Sequence, residues 1–594
     1  MRVLPFGDRA LLIEVDAQAR SGRAVDAVLA LRARLAAGRL PGVVDIVPAA
    51  RTILVRTRPG ALSDVRAGIE RIGTQETTDA TPEPAAEIEL PIVYDGADLA
   101  DTAQLLEMSV EALVRRHAWT MWTVAFTGFA PGFGYLIGDD WPFDVPRLPT
   151  PRTRVPAGAV GLAAEFCGAY PRATPGGWRL IGTTGAPLFD AAAADPALLI
   201  PGARVRFVER AAAPAAAPPA VPLSAPAAAA AAGPASASAP TGAAPTAPPA
   251  PTAAGASAPA APTAAGASAP AAPAQNSSNP GGEGSNPAAR GGHDGEVEEF
   301  CTRAAGDLAF EVVEPGLLTT VQDLGRPGRA SQGIAISGAF DRAALRAANR
   351  LVGNRENAAG LEITMGGLRA LARRDVWIAV TGGWGPIRIG GHQIDPYEAV
   401  QWPAGTELHV DWLVQGARVY LAVRGGIDAR AVAGSRATDT MAGLGPAPLR
   451  AGDALRTGDA ASAPIPPAEP VMGVPPSDEI VLTVSEGPRA DWFTATGRAA
   501  LFDAVWTVAD RADRVGIRLD GPGLERARFG ELPSEGMVPG AIQVPPAGRP
   551  VILGADGPVT GGYPVIAVVT DAALDRLAQA RPGSPVRFRH ARPV

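Results

Sequence analysis

Short apolar runs bounded by glycine, proline or charge open the chain. Positions 10–15, 43–47, 53–56 and 87–93 read as strands, and two intervening stretches carry apolar side chains at helical spacing. The first has Val25, Val28, Leu29, Leu35 and Ala36 on one stripe, interrupted by Arg32, with Ser21 placed to cap its start and Gly38 to stop it. The second starts near Ser63, carries Val65, Ile69 and Ile72 on one side and stops at Gly73. This βαββαβ order predicts a ferredoxin-like unit over residues 1–93.

A short helical pair ending in 109–117 leads to a strand at 121–126. From there to residue 207, the turns in VPAGAVGL, TPGGWRLIGTT and IPGARVRF separate short β-prone runs, which predicts a compact antiparallel barrel over residues 94–210. Residues 211–305 are Ala, Pro, Gly and Ser in bulk and repeat APTAAGASAPA in tandem at 250–260 and 261–271. Such a tract cannot bury a core and is expected to be a disordered linker. Residues 306–594 are again β-rich and glycine-punctuated. Their one clear helix, 341–352, sets Leu345, Ala348, Leu351 and Val352 at helical spacing between Asp341 as cap and Gly353 as stop.

Within the first barrel, 126–136 reads FTGFAPGFGYL. Glycines at 128, 132 and 134 permit positive φ or close backbone approach, Pro131 fixes one φ and removes a donor, and Phe126, Phe129, Phe133 and Tyr135 supply rigid faces. The segment reads either as a wall of backbone amides beside an aromatic pocket or as a tight turn packed by its own aromatics.

Composition narrows the chemistry. The chain has 594 residues, enough for several domains, and its 53 basic and 60 acidic side chains give a net charge of −7 with no basic run. Nucleic acid and an anionic membrane are therefore not expected partners. The N-terminal sequence lacks a signal-peptide apolar region, and outside the Ala/Pro tract no span of about 18 apolar residues escapes charge or proline; the expected location is the cytoplasm. Cys167 and Cys301 are too few for a disulfide framework. His117, His293, His392, His409 and His590 show neither i,i+4 pairing nor HExxH, so no metal site is expected. All 53 basic residues are arginine. Without lysine the chain has no Walker-type loop, no Schiff base and no biotinylated lysine.

Several positions could carry chemistry. His117, at the end of a helix just before a strand, could act as acid or base or simply meet the helix dipole. Arg152, after a proline in a loop, could grip a carboxylate or phosphate or be an ordinary surface charge. The ISGAFD turn sets Ser337, Gly338 and Asp341 at a helix N-terminus, which suits an anion or plain capping. TTVQDLGRPG (319–328), DRVGIRLDGP (513–522), SEGMVPGAIQVPP (534–546) and ADGPVTGGYP (555–564) repeatedly combine carboxylates, arginines and glycine turns. Acid/base and oxyanion work requires such groups, and structural ion pairs use them too. TGGWGPIRIGG at 381–391 lacks the strand–helix context of a dinucleotide fingerprint and reads as a hairpin.

Taken in order, GDRALLIEV, FTGFAPGFGYL, PRTRVPAGAVGL and PGGWRLIG make residues 1–210 resemble the B subunit of 5-oxoprolinase, the Kip-inhibitor or allophanate hydrolase subunit 1 family. Over 308–590, TTVQDLGRPG, ISGAFD, ANRLVGN, DRVGIRLDGP and SEGMVPGAIQVPP resemble the C subunit of 5-oxoprolinase, the Kip-antagonist or allophanate hydrolase subunit 2 family. The pair also resembles the carboxyltransferase part of urea amidolyase. The resemblance implies a mainly β fold with α+β character: two cyclophilin-like β-barrel domains, the first preceded by the ferredoxin-like unit, facing each other across a shared site. Fusion through a tether makes their pairing intramolecular, and a homo-oligomer is left open.

The implied activity is ATP-dependent opening of 5-oxoproline, a lactam, to glutamate with a separate A subunit, using ATP with Mg2+ and carrying no biotin on this chain. Two alternatives are the carboxyltransferase component of a biotin-dependent urea carboxylase and a sensor-kinase regulatory module. Carried over by motif, the first half offers His117, Gly128, Phe129, Pro131, Gly132, Phe133 and Tyr135, with Arg152 and Trp178 nearby. The second offers Gln322, Asp323, Arg326, Ser337, Asp341, Glu362, Arg514, Glu535, Gln543, Asp556 and Tyr563. His117, Asp323, Glu535 and Asp556 are the expected catalytic groups, with arginines and backbone amides holding substrate or nucleotide. The chain departs from the family patterns at Phe166 and Cys167 and at Pro558 and Val559, where polar residues are replaced.

Overall fold

In the computed structural model the described residues are 1–15, 24–74, 87–193, 195–211, 307–466, 477–530 and 532–591. Ser21, His293, Cys301 and all of the expected linker except Ala211 lie outside them.

The N-terminal layer is an antiparallel sheet in the order Arg2–Pro5, Ala10–Glu14, Thr52–Thr57, Val43–Pro48. Helices Ala24–Ala37 and Leu62–Thr74 contribute Val28, Leu35, Val65 and Ile69 to a core with Leu11, Ile13 and Ile53. Successive strand side chains point to opposite faces. Ala10 and Leu12 therefore turn away from the helices and, with Leu4, Phe6 and Leu54, pack on Val538, Leu553, Val565 and Val568 of the second half. A strand covered on both faces needs no polar alternation, which explains the continuous ALLI run.

One strand is allotted differently from the sequence expectation. Glu87–Ile92, expected to complete the ferredoxin-like sheet, runs parallel to Arg204–Glu209 in the next sheet. Its place is taken by Arg2–Pro5, paired from Arg2 with Glu14 to Pro5 with Leu11. Four residues including a proline leave too weak a pattern to read as a strand.

The next sheet has the order Arg179–Thr183, Ala159–Ala163, Phe166–Ala169, Gly134–Gly138, Met121–Thr127, Arg204–Glu209, Glu87–Ile92. Its two edges meet where Val93 and Thr183 exchange backbone hydrogen bonds, both 2.8 Å. Trp122, Leu136, Leu162, Val205 and Phe207 fill the interior.

The second half, expected as one barrel-type domain, holds two cores. In the first, two sheets enclose Phe310, Leu361, Ile378, Trp402, Leu408 and Leu421, and helix Arg342–Leu351 lies against strands Val376–Trp384 and Gln415–Val423. The second is a closed barrel of Ile480–Glu486, Val565–Val569, Ala541–Gln543, Val551–Leu553, Gly516–Asp520, Trp506–Val508 and Pro585–His590. Parallel pairing of its first and last strands closes it around Leu482, Trp506, Ile542 and Ile552. The glycine-rich 381–391 stretch is a hairpin only in its latter part, where Gly390 and Gly391 join Ile387–Ile389 to His392–Ile394; Val376–Trp384 belongs to the other sheet. Among the described residues no helix is long and apolar enough to cross a membrane.

Candidate functional site

The glycine-rich loop that follows strand Met121–Thr127 meets the second half directly. The loop is folded on itself by Gly128 N to Phe133 O at 3.1 Å and Phe133 N to Ala130 O at 3.0 Å, with Phe129 left-handed at φ 64°. Thr127 Oγ1 donates to Ser331 O at 2.7 Å, and Gly132 N to Gln332 O at 3.3 Å. A Cβ on Gly128 would overlap the Thr560 hydroxyl, so only glycine lets the loop approach this closely. Behind it Phe133 meets Phe129, Tyr170 and Trp178 edge-on at centroid distances of 5.3, 5.1 and 5.3 Å.

Across the crevice, three sequence segments converge on the turn 437–440. Gln322 Nε2 donates to Thr438 O at 2.9 Å, Arg326 Nη2 to Ala437 O, and Ser337 Oγ to Thr438 O at 3.2 Å. Asp323 accepts from Ser435 Oγ at 2.6 Å and Arg436 N at 2.7 Å. Asp556 accepts from Thr440 N and Oγ1 at 2.9 and 2.7 Å and from Ser337 Oγ at 2.7 Å. Arg514 links Asp556 to Glu362 and donates to Gly338 O at 2.7 Å. From the first half, Arg172 donates to Met441 O and lines the same crevice with Phe129, Pro131, Asp439 and Asp556.

The electrostatics separate two carboxylates. Burial raises the Asp556 pKa, but Arg514 outweighs it and holds the group below the usual range, so Asp556 is an anion. Asp439 is buried too; burial first and the Asp556 charge second push it up to about 6. Its Oδ1 accepts from Ala442 N at 2.7 Å. Its Oδ2 has no hydrogen-bond partner and faces Arg326 Nη1 at 4.0 Å. Gln322 Oε1, Arg326 Nε and Nη1 and Arg172 Nε are likewise buried without a partner. Such atoms are costly to leave unmet, on the order of 1–3 kcal/mol each, so they keep capacity for a small polar group.

Other expected residues lie elsewhere. His117 is fully buried in the first barrel, with Tyr94 Oη 2.8 Å from Nδ1, Cys167 Sγ 3.2 Å from Nε2 and the Phe207 ring at 4.5 Å. Burial pushes its pKa down to about 3. Tyr135 stacks on Phe126 at 4.3 Å, and Arg152 pairs with Asp98 at 2.6 Å. Asp341 caps its helix by accepting from Ala344 N at 2.9 Å and is held by Gln579 Nε2 at 2.7 Å; burial raises its pKa to about 7. Glu535 is locked onto Arg489, which also reaches Glu14 of the first half at 2.5 Å. Gln543 donates to Met537 Sδ at 3.3 Å, and Tyr563 is exposed. Sequence reasoning missed Arg172 and the turn 437–440. The latter's one local trace is the polar run SRATDT set between Gly434 and Gly443. Among the described residues no group of three or more His, Cys, Asp or Glu side chains is arranged to hold a metal.

Comparison with known proteins accounts for both halves. A model described as carboxyltransferase domain, subdomain C and D, matches residues 1–199, and one described as carboxyltransferase domain, subdomain A and B, matches residues 332–590. The chain is 37% identical to the C subunit of 5-oxoprolinase from Escherichia coli (strain K12) over 47% of its own length and 90% of the relative's. It is 42% identical to the B subunit of 5-oxoprolinase from Escherichia coli O157:H7 over 28% of its length and 79% of the relative's. Urea amidolyase of Lachancea kluyveri is 34% identical over 47% of this chain but only 17% of that protein. The crystal structure of TTHA0988 superposes with a TM-score of 0.73 at 31% identity, covering 98% of this chain and 100% of that one. The chain therefore belongs to the carboxyltransferase-domain family and joins, in one polypeptide, a half similar to the B subunit of 5-oxoprolinase and a half similar to its C subunit.

Proposed function

We propose that the chain serves as the fused B and C subunits of an ATP-dependent 5-oxoprolinase, activating 5-oxoproline for ring opening to glutamate by a separate A subunit. The observation that carries this reading is the meeting of both halves in one crevice: Thr127 and Arg172 bond to Ser331 and Met441, beside Asp439 and Asp556. A site assembled from two halves is what two obligate subunits provide, and fusion keeps them together. In this reading Asp556, fixed as an anion, orients Ser337 and Thr440, while Asp439 keeps an unpaired carboxylate oxygen at the crevice wall. ATP, when bound, supplies the phosphoryl group, and the unpartnered Nε–H of Arg172 is the donor this crevice keeps for an anion.

Coexpression with a protein of the 5-oxoprolinase A type, followed by measurement of glutamate formed from 5-oxoproline, tests it. Turnover should require this chain, the A subunit and ATP together. Its absence beside an active control enzyme would count against the assignment.

The family description and the urea amidolyase match favour a second reading, the carboxyltransferase step of a biotin-dependent system. Since the chain has no lysine, biotin would have to arrive on another polypeptide. Carboxyl transfer from carboxybiotin with no A subunit present would identify that activity.

A further inference from the structure

The GDRA turn that opens the first half has no role in the crevice, yet it walls a separate cavity between the halves. Gly7 has φ 76°, and a Cβ there would stand 2.9 Å from Val568 Cγ1, so the turn lies flat on the closed barrel. Beside it is a cavity of about 110 Å3. Phe6, Leu324, Ile336, Phe340, Val538 and Val568 give it apolar walls, and Ser337, whose hydroxyl donates to Asp556, lines the side it shares with the Asp556 network.

Three arginines line this cavity: Arg9, Arg56 and Arg342. Arg342 is saturated by Asp571 at 2.8 Å and Asp575 at 3.3 Å. Arg9 uses only Nη1, on Asp571 at 2.5 Å, and Arg56 only Nη1, on Asp45 at 3.1 Å. Asp45 divides its oxygens further with the amides of Gly328 and Ala330. Nε and Nη2 of both Arg9 and Arg56 therefore have no protein partner among the described residues. A guanidinium presents N–H groups in a planar fork that fits a carboxylate. Asp8 also lines the cavity, but its carboxylate accepts from Asp571 N at 3.1 Å, at the rim. The apolar walls favour a compact ring or short chain, and the volume is well below that of pockets that hold drug-sized ligands.

We propose that this cavity binds a small monocarboxylate with a compact apolar body, its carboxylate on Arg9 and Arg56 and its body against Phe6, Ile336 and Phe340. Resting on the function proposed above, that molecule is 5-oxoproline.

The test is calorimetric titration of the full chain, with neither ATP nor the A subunit, against 5-oxoproline and against 2-pyrrolidinone, the same lactam lacking the carboxylate. 5-Oxoproline should bind at least tenfold more tightly than 2-pyrrolidinone. Arg9→Gln and Arg56→Gln should each weaken it at least tenfold with melting curves still cooperative, and Arg9→Lys should weaken it less than Arg9→Gln. Val538→Phe, which fills the cavity without removing charge, should block binding. Equal affinity for the two lactams, or wild-type affinity in both Gln variants, would overturn it. Turnover with an unchanged KM in both Gln variants would sink this site and leave the proposed function standing. Binding of another small monocarboxylate, lost in the Gln variants, in a chain that never turns over 5-oxoproline, would do the reverse.

Discussion

Arg514 grips Asp556 through two parallel contacts, Nε to Oδ2 at 2.9 Å and Nη2 to Oδ1 at 2.8 Å, while its Nη1 holds Glu362 at 2.6 Å. All three side chains are buried, so one cation serves two carboxylates from different cores of the second half. Replacing Arg514 with methionine leaves both acids in low dielectric without their main partner. The expected loss is about 3–5 kcal/mol of unfolding free energy. Denaturant unfolding measures it, and a loss below about 1 kcal/mol, as for an exposed pair, would show that the network contributes little.

The close approach of Gly128 to Thr560 makes a steric prediction. Gly128→Ala should destabilise the fold, because its Cβ meets the Thr560 side chain at the junction of the halves. Thr560→Ala in the same chain should recover part of that loss, giving a non-additive double-mutant cycle. Strict additivity in thermal unfolding would show that the two side chains do not meet.

Asp439 predicts a pH dependence with a definite sign. Its folded pKa lies near 6, above the ordinary 3.8, because it is buried and faces the Asp556 anion, with Arg326, Arg172 and Arg514 only partly compensating. The protonated form therefore favours the fold at low pH, and that contribution is lost as pH rises from about 4 through about 6. Asp439→Asn should accordingly gain melting temperature relative to wild type as pH increases across this window. A difference independent of pH would show that Asp439 titrates normally.

His117 slopes the other way. Burial holds its folded pKa near 3, below the ordinary 6.5, so the neutral ring supports the fold above 6.5 and that support fades as pH falls toward 3. His117→Gln should flatten this part of the stability profile and leave the turnover of folded protein largely intact, whereas Asp556→Asn should lower turnover without that flattening. Equal loss of turnover in both, with both folded, would return His117 to the chemistry.

Local signals were legible where the residues themselves carry the constraint. The density of Gly and Pro between 126 and 136 marked a loop needing close backbone approach, and Asp341 and Gly353 marked the ends of one helix. Partnerships across the chain were not. Gln322 and Arg326 end on backbone atoms of residues 438 and 437, and such contacts leave no periodicity behind. The setting of His117 was hidden for the same reason: the groups facing it, Tyr94 and Cys167, come from two other segments. Strand Glu87–Ile92 was legible as a strand but not in its sheet, because pairing with Arg204–Glu209 is decided by the closure of the whole barrel.

The two-faced strand Ala10–Glu14 has a consequence for biogenesis. Its sheet is made first, while the side chains that cover its outer face, Met537, Val538, Leu553, Val565 and Val568, are made near the end of the chain. At about 5–20 residues per second of synthesis, the apolar side chains of Leu4, Phe6, Leu12 and Leu54 leave the ribosome tens of seconds before their cover exists. Over that interval the apolar face of the first half stays uncovered, and its burial waits for the closing strands of the second half.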